Sequence, residues 1–199
     1  MIFMKDITFS FLDLETTGID PISERIVEVG LVKVRNNEII EEYSQLVNPK
    51  QPMSAYVTQL TGIKPVELLS APTFDEIADE LEALLADSLL VAHNVRFDYS
   101  FLEAEYSRLV KPFDYPYLCS VKLSRYLYPH HVRHGLDAIM NRFDIACSDR
   151  HRAFDDAKVI HQFFQKSQAE LGDGKMLEGI MALSQKTKGK DLLGSPRLI

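Results

Sequence analysis

Asp13 and Glu15 stand one position apart at the end of the apolar run Ile7-Thr-Phe-Ser-Phe-Leu12, and two more aspartates recur downstream in marked settings. Asp98 closes His93-Asn-Val-Arg-Phe-Asp98, and Asp156 lies five residues after His151 in His151-Arg-Ala-Phe-Asp-Asp156. Four carboxylates and an imidazole are the makings of a site that cleaves phosphodiesters with two metal ions. Hard divalent cations take oxygen ligands, and a nearby base must take a proton from water. The residue types therefore point to a nuclease.

Each motif has an ordinary reading beside the chemical one. On an extended segment Asp13 and Glu15 leave one face while Leu14 leaves the other, so both carboxylates can converge on one ion. Gly18, after Thr16 and Thr17, lets the chain turn away from the sheet. Taken alone, Asp-x-Glu at a strand end is equally a solvated edge. Asp98 falls in the first turn of a helix, where the dipole favours a carboxylate whatever its function. His151 precedes a helix with apolar Ala157, Ile160 and Phe164, and its unperturbed pKa of about 6.5 suits a proton acceptor. Asp155 competes with Asp156 as ligand, and the outcome turns on which side chain faces the sheet. Spacing from His151 selects Asp156.

The elements that must position these groups are visible in the hydrophobic period. Residues 7–14, 25–34 and 39–47 read as strands, with Asn36-Asn37 as a hairpin turn, so the chain opens as an antiparallel meander. The period then becomes helical over 74–85, with Thr73 as N-cap and Glu76 completing a capping box. Leu89 to Ala92 is a short buried strand. Residues 97–109, 121–127, 136–143 and 153–168 are helical again. Three strands followed by mixed helix and strand predict an α/β layered fold. After Gln168 the pattern loosens through Leu171-Gly-Asp-Gly174 into a helix over 176–184 and a polar end, which reads as a tail.

The chain has 199 residues, 46% of them hydrophobic, enough for one buried core plus some extra. Its 22 basic and 29 acidic residues give a net charge of −7, which excludes holding nucleic acid by bulk electrostatics. Contact must be local, with metal ions supplying positive charge. Cys119 and Cys147 have no paired spacing with histidines, so neither a disulfide framework nor a zinc site is expected, and a reducing cytosol is the expected setting. No export signal and no apolar run of about 20 residues is present, so a cytoplasmic protein with no membrane association is expected. Lys122 to His134, with Arg125, Tyr126, Tyr128, His130, His131 and Arg133, is the densest basic and aromatic interval. It is open between a path guiding a single strand and an ordinary helix and loop with exposed polar groups.

Phe11-Leu-Asp-Leu-Glu-Thr-Thr-Gly18, His93-Asn-Val-Arg-Phe-Asp98 and His151-Arg-Ala-x-x-Asp156 together resemble the three motifs of the DnaQ-like 3′→5′ exonucleases, the class named for its Asp-Glu-Asp-Asp ligands and histidine. The resemblance covers roughly residues 6–167 in order and spacing. It is strongest toward the branch of the proofreading epsilon subunit of bacterial DNA polymerase III and the exonuclease domain of the related Gram-positive replicative polymerase. It implies a ribonuclease H-like mixed central sheet flanked by helices. It further implies two divalent ions, Mg2+ or Mn2+, with Asp13, Glu15 and Asp156 on one, Asp13 bridging to the second, Asp98 reaching the second, and His151 deprotonating water. By motif position Thr16, Thr17, Leu60, Asn94 and Phe97 would contact the 3′ nucleotide. The expected substrate is a single-stranded or frayed 3′ end, DNA favoured, released as 5′-mononucleotides in proofreading or repair. An RNA 3′→5′ exonuclease and a non-catalytic polymerase-binding module are the alternatives. The expected organisation is an exonuclease domain at 1–169 and an extension at 170–199, whose Met176, Leu177, Ile180, Met181, Leu183, Leu192 and Leu193 could order on a DNA polymerase partner or pack on the core.

Overall fold

The computed structural model describes residues 3–184. Three strands, β1 (Thr8–Thr16), β2 (Ile26–Arg35) and β3 (Glu38–Leu46), form the antiparallel meander. Asn36 and Asn37 both have positive φ, 52° and 63°, as a two-residue hairpin of the primed type requires. Two small helices follow, α1 (Ala55–Thr61) and α2 (Pro65–Leu68), then α3 (Phe74–Leu85), whose first turn is closed by the Thr73 amide donating to Glu76 Oε2 at 2.7 Å. Strand β4 (Leu89–Ala92) leads into α4 (Arg96–Arg108), and β5 (Tyr117–Cys119) into α5 (Ser120–Leu127). Helices α6 (Leu136–Phe143) and α7 (Ala153–Leu183) complete the described chain. The sheet order is β3-β2-β1-β4-β5, with β4 parallel to both β1 and β5, giving the expected α/β mixed sheet flanked by helices.

Alternation along β1 divides the core. Phe9 and Phe11 pack against α5, α6 and α7, whereas Leu12 and Leu14 pack against α3 and α4. Asp13 and Glu15 share the parity of Phe9 and Phe11, so they leave β1 on the α7 face. Helices α1 and α2 and strand β5 were not anticipated, because each is too short for a hydrophobic period to show. The signals for α1 lay in its ends: Ser54 Oγ accepts from the Val57 amide at 3.2 Å, and Gly62 (φ 72°) closes it.

Element α7 is broken at Gly172 (φ 79°, ψ 163°), and the helical segment beyond it folds back onto the core. Met176 and Ile180 are fully buried there, and Gly179 lies against Leu123 and Tyr126 of α5. Those two apolar positions, offered above to a partner, are thus occupied within the chain, while Met181 stays exposed. Leu192 and Leu193 lie outside the described residues. Among the described residues no helix is long and apolar enough to cross a membrane.

Candidate active site

Strands β1 and β4 run parallel, with Phe11 paired to Val91, so their carboxyl ends open on the same edge of the sheet. Asp13 and Glu15 arrive there on β1, and Asp98 arrives on the first turn of α4, almost fully buried. Asp156 comes from the first turn of α7, also buried, while Asp155 turns outward to an ion pair with Lys158 at 3.0 Å. The helix face thus separates the two neighbouring aspartates. Ligand atoms of Glu15, His151 and Asp156 lie within 4.8 Å of one another.

What brings α7 to β1 is the facing pair of positions on β2. Asp13 is in register with Gly30, and Glu15 with Glu28. A Cβ at Gly30 would lie 2.2 Å from the Ala153 carbonyl carbon and the Phe154 nitrogen, so α7 begins directly against bare β2 backbone. Glu28, 1% exposed, receives Arg152 Nη2 at 2.7 Å and the Ala153 amide at 3.0 Å. A buried carboxylate so paired anchors the first turn of the helix beside the site. Its sequence signal was a single charged residue inside Ile26-Val-Glu-Val-Gly30.

The electrostatics follow from crowding. Burial first, then Asp98, Asp156 and Glu15, hold the Asp13 carboxyl well above the ordinary carboxylate range. Burial, then Asp156, Glu28 and Asp98, push Glu15 up to about 8. Asp98 is raised by burial to about 8 and Asp156 to about 6. Arg150 opposes the rise at Asp13, Glu15 and Asp156. Its Nη1 donates to Asp156 Oδ2, and its Nε donates to Asp137 Oδ1 at 2.8 Å. His151, at φ 65° just before α7, is held below its ordinary pKa by burial and by Arg150.

His93 sits beside this cluster with Nδ1 2.9 Å from Ser120 Oγ and its Nε2 buried without a partner; burial lowers its pKa to about 4. The positions expected to touch a nucleotide are differently employed. The hydroxyl of Thr17 is bonded to Glu24, the Arg25 amide (2.9 Å) and Gln51 Nε2 (3.1 Å). Thr16 is buried and donates to the Gly18 carbonyl. Asn94 is exposed at φ 64°, Leu60 is 40% exposed, and Phe97 packs on Phe101 with ring centroids 4.9 Å apart. In the basic and aromatic interval, Tyr128 and His134 are buried, His134 being bonded to Ser124 Oγ (2.8 Å) and the His131 carbonyl (2.9 Å). His130, His131 and Arg133 are exposed, the latter two on a cleft of about 960 Å³ that Asp137 also lines.

Comparison with known proteins places this geometry. The sequence pattern of the RNase T exonuclease family matches residues 10–164. The Bacillus subtilis DNA polymerase III PolC-type is 34% identical over 158 residues, 78% of this chain and 11% of that protein. The Thermotoga maritima PolC-type protein is 34% identical over 191 residues, 94% of this chain and 14% of that protein. This chain therefore spans a small fraction of these relatives. Exonuclease X, solved with 5′ overhanging duplex DNA, superposes with a TM-score of 0.69 at 21% identity, covering 86% of this chain and 98% of that one. The nuclease domain of 3′hExo, a DEDDh family member bound to rAMP, gives 0.72 at 19% identity, covering 83% and 93%.

Proposed function

The chain belongs to the RNase T exonuclease family, whose members are hydrolytic nucleases, and we propose that it acts as a DEDDh-type enzyme that removes 5′-mononucleotides from the 3′ ends of single-stranded or frayed DNA with two divalent metal ions. The observation carrying this reading is the meeting of Glu15, Asp156 and His151 within 4.8 Å, at the sheet edge where Asp98 is buried and Asp13 half-buried.

The donor set fits Mg2+ or Mn2+. It offers carboxylate oxygens, which hard cations prefer. The Oδ1 of Asp156 is buried with no hydrogen-bond partner, and mutual repulsion with burial keeps the carboxylates toward their protonated forms until positive charge is supplied. Asp13, Glu15 and Asp156 would hold one ion, and Asp13 with Asp98 the second. Such ions supply an acidified water and charge stabilisation at the attacking and leaving oxygens. His151, next to Glu15 and Asp156, takes the proton of the attacking water. Asn94, Phe97 and Leu60 would seat the terminal nucleotide by packing rather than by base readout, which suits an enzyme indifferent to sequence.

The His151→Ala protein should therefore lose roughly 10²–10⁴-fold in rate, the usual range for acid–base catalysis, with Mn2+ affinity largely kept and the acidic limb of the pH–rate profile flattened. Loss of metal affinity with an unchanged profile would make His151 a ligand instead.

DNA is favoured because the curated relatives are named DNA polymerases; the same names support association with a replicative polymerase. An RNA reading draws on the 3′hExo domain bound to rAMP. Matched DNA and RNA strands labelled at the 5′ end, with Mg2+ or Mn2+, separate them. The expected result is shortening from the 3′ end to mononucleotides, faster for DNA, and faster at a mismatched primer end than a paired one because the terminal base must leave the stack. Cleavage within circular single strands would refute an exonuclease, and faster loss of the RNA would replace the DNA assignment.

A further inference from the structure

Arg150 occupies a place in the site that the reaction as described does not use. Its Nη1 is bonded to Asp156 Oδ2, one of the two oxygens of a carboxylate needed for the metal, while the other, Oδ1, is buried and unpartnered. The guanidinium is anchored on its far side through Nε to Asp137, whose side chain is 76% exposed on the first turn of α6. Its own side chain is 28% exposed. The residue lies in the turn preceding α7, next to the left-handed His151, so it can pivot without moving the helix that carries Asp156. Arg142 is committed elsewhere, to Ser124 Oγ and the Arg133 carbonyl, and Arg152 to Glu28.

A guanidinium and a divalent cation on the two oxygens of one buried carboxylate repel each other and draw on the same negative charge, so each weakens the other's hold. A cation on Asp156 thus loosens the bond from Arg150 Nη1, while Nε remains tied to Asp137. A planar fork of donors left in this position needs an anion, and a phosphate matches its geometry.

Building on the metal site proposed above, we infer that Arg150 is the site's internal counter-ion: it holds Asp156 until a divalent ion arrives, then passes its Nη groups to the phosphate of the terminal nucleotide. It thereby links metal loading to nucleotide binding. Such a link is reciprocal, since whatever the nucleotide does for metal affinity the metal does for nucleotide affinity.

Mn2+ binding, measured calorimetrically on the whole chain with and without a 5′-mononucleotide, tests this. In the Arg150→Gln protein Mn2+ alone should bind more tightly than in the unsubstituted chain, by roughly 5-fold or more, the lower end of common couplings, because the competitor is gone. The gain in Mn2+ affinity conferred by the nucleotide should shrink by a similar factor. Arg150→Lys, which keeps the charge without the fork, should fall between the two, and it carries the test if the glutamine variant folds poorly. Mn2+ affinity that is unchanged or weaker in both variants without nucleotide would overturn the inference. Absence of Mn2+ binding by the unsubstituted chain would instead remove the metal reading on which it rests.

Discussion

The Asp13→Asn protein is expected to lose at least the roughly 10²–10³-fold in rate that follows removal of one preorganised electrostatic group from an active site, and yet to melt at a higher temperature than the unsubstituted protein when metal is withheld. The two effects have one cause. Asp13 is crowded by Asp98, Asp156 and Glu15, with Arg150 opposing their repulsion. An amide keeps the side-chain shape and has no charge to desolvate. Carboxyls whose pKa is raised on folding bind protons more tightly in the folded chain than in the unfolded one. Their contribution to stability is thus fully present below the unfolded values near 4 and is lost as pH climbs, through about 6 for Asp156 and about 8 for Glu15 and Asp98. In EDTA the melting temperature should fall between about pH 5 and about pH 8, and the fall should be shallower with Asn at position 13. Divalent metal should reverse the slope for the unsubstituted chain, since binding then displaces protons, with stabilisation of about 2.7 kcal/mol at a hundredfold excess over Kd. Full activity of Asp13→Asn, or undiminished activity of the unsubstituted protein in EDTA, would end the metal-dependent mechanism.

The carboxylates and His151 were legible because each stands at the end of a strand or the start of a helix whose hydrophobic period is unambiguous. The choice of Asp156 over Asp155 was legible for the same reason, since a helix face separates adjacent residues by about 100°. Contacts that join distant parts of the chain were not. Arg152 meets Glu28 across 124 positions, and nothing in either local pattern names the other. Arg150 could be seen as basic and next to His151, but whether it pointed at Asp156, Asp137 or water depends on where α6 lies. The partners of the Thr17 hydroxyl, the Arg25 amide and Gln51 Nε2, were likewise hidden from its local pattern. The break at Gly172 was marked by the glycines at 172 and 174, but the return of Met176 and Ile180 to the core depends on a groove beside α5 that only the folded chain displays.

Gly30 carries no chemical group, and substituting it should be among the most damaging single changes in the chain. It is the partner of Asp13 across β1 and β2, and the backbone of Ala153 and Phe154 rests where its side chain would be. Overpacking a core costs about 1–3 kcal/mol when side chains can yield. Here the obstructing atoms are backbone at 2.2 Å, held in place by Glu28 through Arg152 and the Ala153 amide. The helix itself must move, so Gly30→Ala should cost about 3 kcal/mol or more, a fall in melting temperature of roughly 6–12 °C for a domain of this size. The motion carries His151 and Asp156 away from Asp13 and Glu15. Displacement of about 1 Å between reacting groups costs roughly 10²-fold, so activity should fall by at least that much even where the variant remains folded. Gly174→Ala supplies the contrast: a Cβ there meets nothing within 4 Å, and in a helix alanine is favoured over glycine by about 1 kcal/mol. That variant should be neutral or slightly stabilised, with hydrolysis unchanged. Calorimetry and single-strand hydrolysis on both proteins decide the matter. A Gly30→Ala protein with ordinary stability and rate would mean that α7 is not seated on β2 as described, and the meeting of Asp156 with the β1 carboxylates would have to be set by other contacts.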